Sequence, residues 1–285
     1  MTGKQGAKMD IHIRRGLAEA WALAGAHRNM LVAYVAIGVI VPFLLLSSEP
    51  IFSLRTVMAI LSDPWSYQVG GSFTGPLYLL AIVAVIVAGA MQAAWNGLFA
   101  EMREGYLSEI MFGMVAGFAY LLANLALAIS FALIAALPLF ILGPQAMLGG
   151  SDAMMAVLAI YRLAITLVGS WVAARFCLAG AIMGSRGSLE PVSAFVESWR
   201  RTRTAQARLF GFYLLYGLPY GIAAGALIVV HGAVILNNAP GSFAETLMSL
   251  GWILLFALYF LGQILIPAGF YRTSEPAATA SEIFA

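Results

Sequence analysis

The chain has 285 residues, of which 62% are hydrophobic and only 10% charged, and its formal net charge is +2. A soluble domain carries about 25% charged residues, so this chain has too few to hydrate a globule, and lipid is the solvent its composition calls for. The small net charge gives no sign of a nucleic-acid partner. The single cysteine, Cys177, rules out an intrachain disulfide and argues against a cysteine-based zinc site.

In chain order, residues 1–29 carry Lys4, Lys8, Arg14, Arg15 and Arg28 with no long apolar core. The first apolar run ends in Ser47-Ser48-Glu49-Pro50 and not in a small-x-small cleavage site, so a retained helix is expected, not a secretory signal. Before that run, Ile13, Leu17, Ala20, Trp21 and Ala24 share one helical face, with His12, Arg15 and Glu19 opposite.

About 20 mostly apolar residues cross a hydrocarbon core of roughly 30 Å. Six segments meet this: Met30–Leu46, Leu77–Leu98, Phe118–Leu142, Met154–Met183, Leu209–Leu236 and Leu247–Phe270. Between the second and third, Met102, Tyr106 and Ile110 line up against Glu101, Glu104 and Ser108. Between the fourth and fifth, Pro191 suits a first helical turn, and Val192, Phe195, Val196 and Trp199 form a stripe away from Glu197, Arg201 and Thr202. The expected fold is an all-α integral membrane protein of about six transmembrane helices. They form three hairpins, each preceded by a cytoplasmic amphipathic helix, with units starting near residues 11, 101 and 190. Such a helix either lies in the headgroup layer or packs on the bundle.

Twelve of the fifteen Lys and Arg residues fall on one side of this arrangement, and only Arg55 falls opposite. The positive-inside rule then puts both termini in the cytoplasm. One membrane domain spans 1–285: a cytoplasmic amphipathic segment (1–29), the six-helix bundle (30–271) and a flexible cytoplasmic tail (272–285).

Three stretches carry a resemblance: Met9 to Trp21 (MDIHIRRGLAEAW), Ala174 to Gly180 (ARFCLAG), and Leu189-Glu-Pro followed by Ala194 to Arg203 (AFVESWRRTR). They resemble the six-helix membrane domain that bacteria fuse to some glycerophosphodiester phosphodiesterases and also make as stand-alone proteins. The resemblance implies a location in the bacterial inner membrane. Within these 285 residues there is no sign of the phosphodiesterase domain or its metal-binding constellation, so no such activity is implied.

No motif for a nucleophile, phosphate loop or metalloprotease is present, and the histidines, His12, His27 and His231, are scattered. No catalytic, cofactor or metal site is expected. Polar residues inside apolar spans are costly without partners and are the better candidates. Gln92, Asn96, Asn124, Arg175 and Gln263 all fall towards the cytoplasmic half. One reading gathers them into a polar cavity in which Arg175 holds a lipid phosphate. The other has Arg175 snorkelling to the interface and the amides bonding helix to helix.

Trp21, Trp199, Arg200, Arg201 and Arg203 are candidate interfacial residues, facing anionic lipid or serving topology alone. Gly217, Gly221 and Gly225 form a small-residue stripe, for packing within the bundle or between protomers. The function expected is non-enzymatic: lipid-associated envelope organisation or scaffolding at the inner leaflet. Its partners are membrane lipids and, in addition, other membrane proteins or a second copy. The alternative is a transporter of a small or amphipathic solute, for which Arg175 and the helix prolines Pro42, Pro138, Pro219 and Pro267 are the hints.

Overall fold

The computed structural model describes residues 11–53, 55–56, 74–100, 105–143 and 151–274, and the secondary structure among them is helical throughout. Helix α1 (Ile13–Ala26) leads into α2 (Arg28–Ser47). Then come α3 (Thr74–Phe99), α4 (Tyr106–Leu142), α5 (Asp152–Phe176), α6 (Ala179–Arg186), α7 (Pro191–Arg201), α8 (Gln206–Asn237) and α9 (Phe243–Ser274). Six stretches are long and apolar enough to cross a membrane: α2, α3, α4, α5 together with α6, α8, and α9.

Local chemistry explains the helix ends and irregularities. Pro42 has no N–H to give and its ring crowds the carbonyl four residues earlier. The chain answers with a π-helical turn at Ala36–Ile40 just before it. Ser151 caps α5, its hydroxyl accepting the Met154 N–H at 3.4 Å. Pro191 opens α7 in the first turn.

The expected fourth span is present as Ala153–Arg186, with an interruption of its helix at Cys177 and Leu178. α5 stops at Phe176 and α6 restarts at Ala179, because side chains of α7 take over the backbone groups between them. The Ser198 hydroxyl accepts the Leu178 N–H at 3.2 Å and donates to the Arg175 carbonyl at 2.8 Å, and Thr202 Oγ1 donates to the same carbonyl at 3.1 Å.

Two further expectations change. Tyr106, Ser108 and Ile110 belong to the first turns of α4, which runs unbroken into the third span, so they are not a separate amphipathic helix. Glu101, Met102 and Glu104 lie outside the described residues. The expected tail begins later than residue 272, because α9 continues to Ser274.

Packing is concentrated at one end, the end that carries α1, α6, α7 and the last turns of α9. Trp95, Tyr34, Phe270, Met183, Leu178 and Leu209 are fully buried there. Small residues make the close crossings. A Cβ on Gly113 would lie 2.5 Å from the Gly89 carbonyl oxygen, so α3 and α4 meet backbone to backbone. Gly16 on α1 sits under the Phe270 ring, and Gly180 on α6 sits under the Trp95 ring. At the opposite end the helices carry exposed apolar side chains: Leu133, Phe140, Val157, Ile160, Leu236 and Leu254. Lipid tails are as apolar as these side chains, so hydrocarbon covers them without penalty.

Candidate functional site

The packed end brings the predicted residues near one another but divides them among different tasks. Arg175, the last basic residue of α5, is buried. Its guanidinium donates to Gln206 Oε1 at 2.9 Å and to the Trp199 carbonyl. The Trp199 ring lies 4.1 Å from the guanidinium carbon and the Trp171 ring 5.9 Å. A cation enclosed by two indoles and two acceptors is stabilised by the ring quadrupoles as well as by hydrogen bonds. Arg175 therefore fastens α5 to α7 and to the start of α8, while its buried Nε has no hydrogen-bond partner.

Around it, α7 is bound to its neighbours by a second set of contacts. Glu197 accepts from Arg186 of α6 at 2.5 Å and pairs with Arg201 at 2.6 Å. Burial alone would raise the Glu197 carboxyl, but hydrogen bonds from Arg186 and Arg201 outweigh it and hold the group below its ordinary value. Arg201 also donates to Ser274 Oγ at 3.1 Å and stacks over Tyr271, which reaches the last turn of α9. Arg201 is thus occupied within the protein. Arg200 and Arg203 are exposed.

The four amides separate in the same way. Gln92 is completely buried and neither its amide nitrogen nor its oxygen has a hydrogen-bond partner. Asn96 donates to the Gly184 carbonyl at 3.2 Å, bonding α3 to α6. Asn124 donates to the Tyr120 carbonyl of its own helix at 2.8 Å, and it lines a cavity together with Gln263. Trp21 is 82% exposed, one turn beyond the half-exposed Leu17, while Gly16, Ala20 and Leu23 of the same helix are buried. The predicted stripe of α1 therefore splits. One edge packs against α9 and the other faces outward.

Beside α7 runs an open groove of about 650 Å³. Ala123, Ala126, Leu127 and Ser130 of α4 form one wall, and Val192, Phe195, Val196, Trp199 and Arg200 of α7 form the other, with Phe176 at its base. Its lining is apolar except for Ser130 and Arg200. Phe176 packs edge-on against Phe195 with ring centres 4.9 Å apart. Val192 and Val196 are exposed, so the apolar stripe of α7 is only half consumed by the bundle.

Sequence reasoning missed two polar centres. Glu109 is buried in the first turn of α4 and accepts the Tyr34 hydroxyl at 2.5 Å. The signal was its register: Glu109 stands one turn before Gly113 and two before Gly117, on the face that meets α3. At the opposite end Arg55 pairs with Glu245 at 3.1 Å and donates to the Asn238 carbonyl, and Trp252 Nε1 donates to His231 Nδ1 at 3.2 Å. Among the described residues no group of three or more His, Cys, Asp or Glu is placed to hold a metal ion. No family model, curated protein or solved structure matches the chain.

Proposed function

We propose that the chain is a non-enzymatic, multi-pass protein of the bacterial inner membrane, with both termini in the cytoplasm, that holds an anionic phospholipid of the inner leaflet in the α4–α7 groove. The observation that carries this reading is the groove: almost wholly apolar walls on a scale that suits acyl chains, with one exposed guanidinium, Arg200, in its lining. Acyl carbons gain dispersion contact along Ala123, Ala126, Val192 and Val196, and the forked guanidinium matches phosphate oxygens. The asymmetry of Lys and Arg supports the orientation, because the topology expected from hydropathy assigns twelve of the fifteen to one side of the membrane.

In this reading α1 and α7 are interfacial helices, with Trp21, Leu17, Val192 and Val196 facing the acyl chains and Arg200 and Arg203 at headgroup level. A held lipid gives the protein a fixed position for organising or scaffolding the envelope at that leaflet. Kinship with the phosphodiesterase-linked membrane domains is part of the same proposal. Its support is that Arg175, Ser198, Trp199 and Thr202, all inside the resembling stretches, meet in one hydrogen-bonded cluster.

The test is native mass spectrometry of protein from nanodiscs containing phosphatidylglycerol and phosphatidylcholine. Wild type retains phosphatidylglycerol selectively. Arg200→Ala retains about fivefold less, the equivalent of about 1 kcal/mol for one basic residue at an anionic surface. Equal retention by the two proteins overturns the assignment.

A further inference from the structure

Next to the groove lies a second, partly open cavity of about 400 Å³, lined by α3, α4, α5, α8 and α9. Leu127 and Phe176 line both spaces and form their shared wall. The cavity has a different chemistry from the groove. Asn124, Ser170, Cys177, Tyr213, Tyr259 and Gln263 bring polar atoms to it, and among the described residues no Lys, Arg, Asp, Glu or His lines it. Arg175, the neighbour of Phe176 in the chain, is turned to Trp199 and Gln206.

Several of these polar groups are incompletely used by the protein. Gln263 makes no hydrogen bond among the described residues. The buried Tyr213 hydroxyl has no oxygen or nitrogen partner and meets only the weakly hydrogen-bonding Cys177 thiol. Asn124 spends an N–H on Tyr120 and keeps its carbonyl oxygen. A polar group left unpaired in a low-dielectric interior is costly, and a guest that supplies both donors and acceptors would satisfy these groups.

The guest's charge follows from the lining. A charged ligand would be desolvated with no countercharge to meet it. Asn, Gln and Tyr side chains each donate and accept, which is the complement of a hydroxyl group. The rings of Trp95, Tyr120, Phe210 and Tyr259 add flat apolar walls suited to the C–H face of a carbohydrate or polyol. The volume lies within the range of about 300–1,000 Å³ typical of small-molecule sites.

We propose that this cavity binds an uncharged polyhydroxy group. The group belongs either to a free sugar or polyol, or to the headgroup of a neutral glycolipid whose chains pass Leu127 and Phe176 into the groove. The proposal stands on the cavity alone and does not require the anionic-lipid reading of the groove.

The test uses the full chain in nanodiscs with three probes: glucosyl-diacylglycerol, free glucose and phosphatidylglycerol. Lipid binding is read by native mass spectrometry and glucose binding by calorimetry. Glucosyl-diacylglycerol, glucose or both bind wild type, and Gln263→Leu weakens that binding about tenfold, the effect of one lost hydrogen bond. Phosphatidylglycerol retention stays unchanged in Gln263→Leu. Asn124→Leu gives an independent reading if Gln263→Leu alters helicity or elution. Binding of glucose identifies a free polyol as a sufficient ligand, and binding of the glycolipid alone identifies a headgroup. Failure of both neutral probes to bind wild type, or equal affinity in wild type and both variants, overturns the proposal. Loss of phosphatidylglycerol in Arg200→Ala but not in Gln263→Leu keeps the two sites separate.

Discussion

Arg175 sits in an apolar helix, and its guanidinium is held by Gln206, the Trp199 carbonyl and two indole rings, with its buried Nε left unpartnered. Its importance was visible from the cost of a cation in a span. Its partners were not, because Trp199 lies 24 positions away and hydropathy carries no information about which helix folds back. A lysine has neither the forked geometry nor the planar face that this cage uses. Arg175→Lys is therefore predicted to loosen α7, raising hydrogen–deuterium exchange across residues 191–201 while exchange in α3 stays at the wild-type rate. Ser198→Ala probes the same junction from the other side. It strands the Leu178 N–H and is predicted to cost about 1–3 kcal/mol of stability. A denaturation midpoint equal to wild type would contradict the role given to Ser198. Gln92 is the counterexample at this scale: it is fully buried with an unpartnered amide, and we have no physical account of what it contributes.

Elements show where periodicity is informative and where it misleads. The stripe of Val192, Phe195, Val196 and Trp199 falls within α7, where Phe195 packs against the core while Val192 and Val196 stay exposed. The same reasoning fails at Tyr106–Ile110, where an apolar stripe at the start of a long helix is indistinguishable from one on a separate short helix. The break between α5 and α6 was invisible because its cause, Ser198, lies on α7. The Gly217, Gly221 and Gly225 stripe meets nothing within 4 Å among the described residues, so it does not pack within the described bundle.

The contact of α6 with α7 has a pH dependence. Glu197 is held below its ordinary value near 4.5, so it binds fewer protons folded than unfolded in that region. The stability it contributes is fully present above the ordinary value and is lost as pH falls through the lowered one. Wild type is predicted to unfold at a higher temperature than Glu197→Gln at about pH 7, with the difference shrinking to nothing in acid below the usual carboxylate range. A difference that persists unchanged in acid would remove Glu197 from the contact.

For the molecule as a whole, six apolar helices and their chain positions follow from hydropathy alone. The uneven packing does not. The end with Arg-rich α7 is closed by small residues and aromatic rings, and the other end presents apolar faces such as Leu133, Ile160 and Leu254. Hydropathy scores lipid-facing and protein-facing leucines alike, so it cannot separate a tight end from an open one. This asymmetry leaves the groove and the polar cavity at the same end as the exposed arginines Arg200 and Arg203. The central claim is that an anionic lipid occupies the groove between α4 and α7. Phosphatidylglycerol carrying a photoactivatable group in its acyl chain, cross-linked to wild-type protein in nanodiscs and mapped by peptide mass spectrometry, tests it most directly. The account predicts adducts concentrated on residues 123–130 and 192–200 and displaced by unlabelled phosphatidylglycerol but not by phosphatidylcholine. Adducts spread evenly over the lipid-facing helices, or displaced equally by both lipids, would contradict it.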